Sequence, residues 1–412
     1  MRKLALILAA AFFLSSCGFN PASTKEHTEV ESNITIYPAE ADFLRGELSS
    51  LPAYNPDSTD GWQVDLRGYD LSSLNLEDRL YDLQYADFDS KTVWPETLPK
   101  GFSPDKIMKI GKSPGLNIDK LHKKGIKGKG VAIAILDQVL LVDHAEYKDN
   151  LKLYEEINCP PGIKAQMHGS AVASIAVGKT VGVAPDADLY YIAVQNGMYK
   201  ADGFEYDFTW LAQAINRILD VNETLPKDRK IRVISNSVGW SEGQKGYSEV
   251  TAAVEEAKKQ GIFVVSSSLV KTYGYYFHGL GRDPLSDPNK ASSYEPGSWW
   301  AKSFYETKFD MIKERLDIDD ILLVPMDSRT TASPTGKDDY VFYRQGGWSW
   351  SIPYIAGLYA LACQVKPDVN PDIFWTEALR TGKTITIEKN NAEYEFGKIV
   401  SPPDLIYSLR NK

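Results

Sequence analysis

The chain has 412 residues, of which 43% are hydrophobic and 25% are charged. This composition is that of a folded protein and excludes wholesale disorder. The formal net charge of -9 and the pI near 5.3 exclude a nucleic-acid-binding surface, because phosphate binding needs clustered lysine and arginine. We therefore expect a peptide or protein partner and no nucleic acid.

The first 17 residues have the pattern of an export signal. Two basic residues precede an apolar run at positions 4–14, and two serines separate this run from Cys17. The run is shorter than the roughly 20 residues that a membrane-spanning helix needs. A plain secretory signal with an incidental cysteine is one interpretation.

The sequence Leu-Ser-Ser-Cys, which ends at Cys17, resembles the bacterial lipobox. The resemblance implies cleavage before Cys17 and a lipid on its sulfur. The mature protein is then anchored to the bacterial cell membrane, facing outside the cytoplasm, and contacts the membrane only through its lipid anchor.

Two segments separate this signal from the main domain. Residues 18–60 are polar, which predicts a flexible tether. Leucines then recur every five residues at Leu66, Leu71 and Leu76, a rhythm that resembles pentapeptide repeats. We interpret residues 61–115 as a small N-terminal module packed on the main domain, with an irregular loop segment as the alternative.

The remaining cysteines and the acidic clusters give no clear metal site. Cys363 lies in an apolar run, so we expect it to be a buried free thiol and not a disulfide partner of Cys159. No paired cysteines or clustered histidines indicate zinc, and we predict no cofactor. Two acidic clusters have two interpretations, as carboxylate ligands of a calcium ion or as solvated surface charge. Their residues are Asp338, Asp339, Asp317, Asp319 and Asp320.

Residues 116–405 have an α/β pattern. Helical stretches, at 208–219 and 250–259, alternate with short apolar runs of the kind found in parallel strands covered on both faces. These runs are Val131 to Leu136, Leu189 to Val194, Ile231 to Ser235 and Ile262 to Val265. The alternation predicts a doubly wound, mainly parallel sheet.

Asp137 directly follows the first of these strands, where reactive groups lie in such sheets. Alone it is equally a turn residue or a helix N-cap. His168 stands in Met-His-Gly-Ser-Ala-Val-Ala-Ser, with Gly-Val-Ala-Pro following at residues 182–185. This pair of motifs resembles the sequence around the catalytic histidine of the subtilisin-like serine proteases, peptidase family S8.

A third motif, residues 347–357, reads Gly-Trp-Ser-Trp-Ser-Ile-Pro-Tyr-Ile-Ala-Gly. It resembles the segment around the nucleophile of the same family, with Ser349 at the position of the reactive serine. A plain N-cap serine is the alternative. The order Asp, His, Ser is also the order in this family.

The resemblance covers residues 115 to about 405 and implies a subtilisin-like fold. It also implies a serine endopeptidase with Asp137, His168 and Ser349 as its triad. Ser237, Val238 and Gly239 match the family segment that pairs with extended substrate backbone.

The sequence departs from the family at the oxyanion position, where an asparagine usually follows the next strand. Val270 takes that place after Ser266-Ser267-Ser268-Leu269, and valine has no donor to offer. Gln138, Val139 and Trp348 also replace smaller residues, and we expect them to crowd the site.

Three accounts follow from this departure. A different donor fills the oxyanion hole, with Ser267, Ser268 or a residue between 271 and 347 as candidates. Alternatively, the triad survives with slow turnover. In the third account, the protein is a weak or inactive member of the family that binds peptides in the old cleft.

Overall fold

The structure is a computed structural model and describes residues 31–58, 60–200, 203–297, 320–389 and 392–412. The strands, in chain order, are β1 (Gly46–Glu47), β2 (Val64–Asp65), β3 (Tyr69–Asp70), β4 (Ala86–Asp89), β5 (Ala132–Asp137), β6 (Leu151–Ile157), β7 (Asp188–Val194), β8 (Gly197–Lys200), β9 (Gly203–Tyr206), β10 (Ile231–Asn236), β11 (Phe263–Ser266), β12 (Tyr276–Arg282), β13 (Tyr294–Pro296), β14 (Ile321–Pro325), β15 (Arg329–Ala332), β16 (Tyr340–Tyr343), β17 (Lys383–Lys389) and β18 (Ala392–Ile399).

The helices, in chain order, are α1 (Leu80–Leu83), α2 (Pro104–Gly111), α3 (Ile118–His122), α4 (Met167–Val177), α5 (Thr209–Thr224), α6 (Tyr247–Lys259), α7 (Leu269–Tyr273), α8 (Trp348–Val365), α9 (Pro371–Thr381) and α10 (Pro402–Arg410). Within the described ranges, every helix is too short or too polar to cross a membrane.

A parallel sheet lies at the centre of the main domain, with strand order β11-β10-β5-β7-β6. Four of these strands are the apolar runs that the sequence predicts, each placed within a residue or so of its expected bounds. The expected helices after them are α5 and α6. The edge strand β6 was not predicted, because charged residues interrupt its sequence and leave no continuous apolar run there.

Both faces of this sheet are covered, so the prediction of a doubly wound sheet is confirmed. Alternate residues of β5 face opposite sides. Ile133 and Ile135 pack in a core that includes residues of α4 and α8. Ala132, Ala134 and Leu136 pack in a second core with residues of α5 and α6.

A second sheet, with order β13-β12-β14-β18-β17, packs beside α8. Its strands come from the segment after residue 271 and from the C-terminal region. In the sequence this segment carries no strand prediction, and the structure shows that a mixed sheet occupies it.

The N-terminal module is built on the leucine rhythm. Leu66, Leu71 and Leu76 are all buried in one small core. Parallel pairing of β2 with β4 stacks successive turns of chain. In addition, β4 pairs antiparallel with β16, with Phe88 opposite Phe342. The module and the peptidase-like domain therefore share a four-stranded sheet, β15-β16-β4-β2.

Residues 33–41 lie along the main domain and differ there from the flexible tether expected for residues 18–60. The Asn33 N–H donates to the Lys152 carbonyl at 2.9 Å, and the Ala165 N–H donates to Ala39 at 2.9 Å. Ala41 donates to Pro334 at 2.8 Å. The predicted signal, Cys17 and the rest of the tether lie outside the described residues.

Candidate active site

Asp137 is the last residue of β5 and its side chain is buried. Because β5 lies between β10 and β7 in the sheet, this carboxylate is held at the carboxyl edge of the central strands. One of its oxygens, Oδ1, accepts a hydrogen bond from the Gln138 N–H at 2.8 Å. The carboxylate is thus fixed by its own turn before it meets any other side chain.

His168 is the second residue of α4, and its Nδ1 lies 2.7 Å from Asp137 Oδ1. Because an ionised carboxylate can only accept, Nδ1 carries the proton and donates a hydrogen bond to Asp137. The side chain of His168 is 30% exposed, whereas that of Asp137 is 6% exposed. The imidazole therefore links a buried charge to the open side of the sheet.

Gly169 allows this contact. A Cβ at this position would lie 2.5 Å from the carbonyl oxygen of Gln138 and 2.5 Å from the Tyr191 hydroxyl, which itself donates to that carbonyl. Any side chain would push α4 away from β5 and lengthen the His168–Asp137 bond. The glycine of the motif is needed for close packing and not for an unusual backbone angle.

The pKa of His168 reflects two opposing influences. Burial lowers it, but the negative charge of Asp137 and the hydrogen bond between the two side chains raise it more. The net pKa lies above the ordinary value of 6.5. The site therefore favours a protonated imidazole next to Asp137, which is the charge state that a general base acquires during proton transfer.

Ser349 is the second residue of α8 and is half-buried. Its hydroxyl lies 3.5 Å from the Ser237 carbonyl oxygen, and the Ser237 hydroxyl donates to the Ser349 carbonyl at 3.1 Å. These contacts fix the start of α8 against the end of β10. The structure places Ser349 next to Ser237 and not in a hydrogen bond with His168.

Trp350, the residue after Ser349, packs against His168. Its ring centre lies 5.3 Å from that of His168 and 5.0 Å from that of Tyr343. The neighbour of Ser349 in sequence is therefore the neighbour of His168 in space. All three predicted residues lie at the same edge of the sheet, with Asp137 and His168 in direct contact.

The segment Ser237–Gly239 leaves β10 and packs on the loop after β11. The Ser267 N–H donates to the Val238 carbonyl at 3.3 Å. A Cβ on Gly239 would lie 3.1 Å from the Ser267 Cβ and 3.2 Å from the Ser268 Oγ. The two segments that the sequence assigns to substrate binding and to the oxyanion region thus lie against one another.

Of the expected oxyanion donors, Ser268 is ruled out by its contacts. Its buried hydroxyl accepts from the Trp240 N–H at 2.9 Å and donates to the Trp240 carbonyl at 3.1 Å. Since a hydroxyl has one proton, none is left for a substrate. Ser267 is half-buried, and among the described contacts its hydroxyl has no partner. Val270, on the short helix α7, is 38% exposed.

The bulky residue beside His168 is not one of those expected from the sequence to crowd the site. The Gln138 side chain is exposed, and Trp348 packs on β12, with its ring 5.5 Å from His278. Trp350 is the bulky group beside His168. Sequence alignment pointed to Trp348 because it replaces a small residue, but the turn of α8 directs Trp348 towards the second sheet.

The acidic clusters show no metal site within the described ranges. Asp339 is engaged by Lys91 at 2.9 Å and by the Thr335 hydroxyl at 2.9 Å. Asp317 and Asp319 lie outside the described residues. Cys159 and Cys363 are free thiols.

The chain is similar in sequence to known serine proteases. A model of the subtilase family matches residues 128–301, a span that contains Asp137 and His168 and ends before Ser349. The major intracellular serine protease of Bacillus subtilis (strain 168) is 28% identical over 179 residues, which is 40% of this chain and 51% of that protein. The intracellular serine protease of Paenibacillus polymyxa is 26% identical over 254 residues, 58% of this chain and 68% of that protein.

Residues 128–301 are therefore similar to the subtilase family. The chain spans about half the length of the Bacillus subtilis relative. Among solved structures, the prenylagaramide maturation protease PagA is similar at a TM-score of 0.47 and 15% identity, over 72% of this chain and 99% of that one.

Two features of this candidate site were not predicted from the sequence. One is Trp350, whose contact with His168 depends on the relative placement of α4 and α8. The other is the Tyr191 hydroxyl, which holds the Gln138 carbonyl beside Gly169. Tyr191 lies in the apolar run of β7, where a buried tyrosine gives no sequence signal for a polar role.

Proposed function

We propose that this chain is a serine endopeptidase that cleaves peptide bonds with Asp137, His168 and Ser349. The observation that carries the proposal is the 2.7 Å bond between His168 Nδ1 and Asp137 Oδ1. It orients the imidazole so that Nε2 is left for a second partner. Ser349 lies at the start of α8, beside Trp350, and it stands at the position of the reactive serine in the family's motif order.

In the reaction, His168 Nε2 takes the proton of the Ser349 hydroxyl as its oxygen attacks the peptide carbonyl carbon. His168 then gives that proton to the departing amine. Asp137 keeps the proton on Nδ1 and stabilises the imidazolium that forms. Water completes the cycle by the same two proton transfers, which releases the acyl group from Ser349.

Substrate backbone is expected to add as an extended strand along residues 237–239. The Val238 carbonyl is already used by Ser267. Because peptide groups alternate in direction along an extended segment, the peptide groups on either side of Val238 face the other way. The proposal is supported by the position of this segment at the end of β10, next to Ser349.

The proposed location is the outer face of the cell membrane, with Cys17 as the lipid-bearing residue. The support is the lipobox-like sequence alone. The variant Cys17→Ala is expected to lose the lipid, so that the protein leaves the membrane fraction and its processing changes. Fractionation with a blot against the chain checks this, with Cys159→Ala as the matched control. Equal membrane retention of Cys17→Ala and the wild type would contradict the anchor.

A second candidate function, peptide binding with little or no turnover, is favoured by one observation. The described oxyanion region offers no side-chain amide: Val270 is apolar and the Ser268 proton is used by Trp240. Loss of the amide donor costs about 10²–10³-fold in turnover in subtilisin, a member of this family. The two candidates differ in whether any peptide bond is cut.

The variant Val270→Asn separates them. Since Val270 is partly exposed, asparagine fits without burying an unpaired amide. We expect peptidase turnover on an unstructured protein substrate to rise by about tenfold or more, because the new amide donates to the oxyanion. Val270→Leu, which adds bulk without a donor, is the control and should show no rise.

Unchanged or lower turnover in Val270→Asn indicates that another donor already fills the hole. Ser267→Ala should then lower turnover without a change in Tm, whereas Ser268→Ala should lower Tm because it breaks the contacts with Trp240. Absence of turnover in the wild type and in every variant would contradict the endopeptidase and leave the peptide-binding function.

A further inference from the structure

Arg329, on β15, is a buried arginine with most of its donors unused. Its side chain is 2% exposed. One nitrogen, Nη2, donates to the Val181 carbonyl at 3.4 Å, while Nε and Nη1 are buried without a hydrogen-bond partner. A guanidinium in this state has lost its hydration and gained only one long hydrogen bond in return.

No carboxylate in the described part of the chain neutralises this charge. The groups that act on Arg329 are Tyr294, Tyr354 and a second arginine, Arg282. Arg282 is also 2% exposed, and it donates to backbone carbonyls, among them Ser328 at 2.9 Å. Burial lowers the pKa of both guanidiniums. Two buried positive groups thus act on one another. The Asp283 carboxylate acts on Arg282, but the groups that act on Arg329 include no carboxylate.

Helix α8 brings further unused donors to the same region. The Arg329 Cζ lies 5.8 Å from the centre of the Tyr354 ring, and the Tyr354 hydroxyl is buried without a partner. Ser351 Oγ and Trp350 Nε1 are also buried without a hydrogen-bond partner. Because they come three and four residues before Tyr354, they lie on the same face of the helix. Trp350 also packs on Tyr343, which lies opposite Arg329 in the β15–β16 pair.

This set of groups has a chemical signature. The Arg329 nitrogens and Trp350 Nε1 can only donate, and the hydroxyls of Ser351 and Tyr354 can do so by rotation. An unpaired buried charge is costly, and the matching ligand is an anion small enough for a packed interior. We propose that a buried chloride ion binds at Arg329 and Tyr354, and joins β15 to the helix that begins at Ser349.

The proposal is tested by thermal unfolding of the full chain in detergent. Chloride replaces gluconate at constant ionic strength, so that only the identity of the anion changes. We expect a saturable rise in Tm of about 4 °C once chloride exceeds its dissociation constant about 100-fold. This readout does not depend on peptidase activity.

Arg329→Met should lose this chloride-dependent rise. Arg217→Met is the matched control, because Arg217 is an exposed arginine paired with Glu155, and it should keep the rise. An equal response to chloride in the wild type and Arg329→Met would overturn the proposal.

Tyr354→Phe gives a second test should Arg329→Met fail to fold. Since the hydroxyl has no protein partner, the variant should match or exceed the wild-type Tm in gluconate, yet bind chloride several-fold more weakly. Unchanged chloride affinity would count against the site.

In bromide-soaked crystals of the full chain, an anomalous peak beside the Arg329 guanidinium is expected, and an ordered water in its place would overturn the assignment.

Discussion

Ser349→Ala is expected to lower kcat by about 10⁶-fold, the magnitude found for loss of the nucleophile in subtilisin. The hydroxyl oxygen forms the covalent bond to the substrate, and alanine offers nothing in its place. Its loss removes only a 3.5 Å contact with Ser237, so the fold should remain. Hydrolysis of a fluorogenic peptide, followed together with Tm, checks both statements.

Ser248→Ala serves as the control for this variant, because Ser248 lies on the exposed side of α6 and its hydroxyl donates to the neighbouring Glu249. It should retain wild-type turnover. Turnover in Ser349→Ala that equals that of Ser248→Ala would show that another residue attacks the substrate.

Asp137→Asn is expected to lower kcat by about 10⁴-fold and to shift the pH profile. The asparagine amide can donate to Nδ1, which moves the imidazole proton to Nε2 and leaves no base for Ser349. In the wild type, activity is lost as the pH falls through the raised pKa of His168, above 6.5. Without the negative charge, burial lowers that pKa unopposed, so the acid limb of kcat/KM should move to lower pH.

The pH dependence of kcat/KM across the acid range measures this shift. Asp143→Asn is the control, since Asp143 pairs with Lys337 at the surface and should leave the limb in place. An acid limb in Asp137→Asn at the wild-type position would mean that a group other than His168 titrates there.

The central sheet and the Asp137–His168 pair were predictable because their signals are local. Continuous apolar runs mark β5, β7, β10 and β11, and a motif of a few residues marks the start of α4. Asp137 ends a strand and His168 begins a helix, so a correct assignment of these elements also places the two side chains.

The rest of the fold depends on contacts between distant segments. Phe88 of the N-terminal module pairs with Phe342, although about 250 residues separate them. Asn33 forms a single parallel backbone bridge with Leu153 of β6, and the polar sequence around Asn33 does not predict this contact. Pairing of this kind is decided by the whole chain, and neither composition nor periodicity reveals it.

The oxyanion region shows the same limit on a smaller scale. The sequence makes Ser267 and Ser268 equal candidates, because both follow β11. Only the structure shows that Ser268 is tied to Trp240, which comes 28 residues earlier. Likewise, the unused donors of Arg329 are invisible in a sequence that places this residue in an ordinary strand.

Mass-spectrometric mapping of a fluorophosphonate adduct is the most direct test of Ser349 as an activated nucleophile. The probe reacts with a serine hydroxyl whose proton is removed by a positioned base, and it needs no knowledge of the natural substrate. We expect a single adduct on Ser349 in the folded wild type, and greatly reduced labelling in His168→Ala. Folded wild-type protein that takes no label, or takes it on another serine, would contradict the triad.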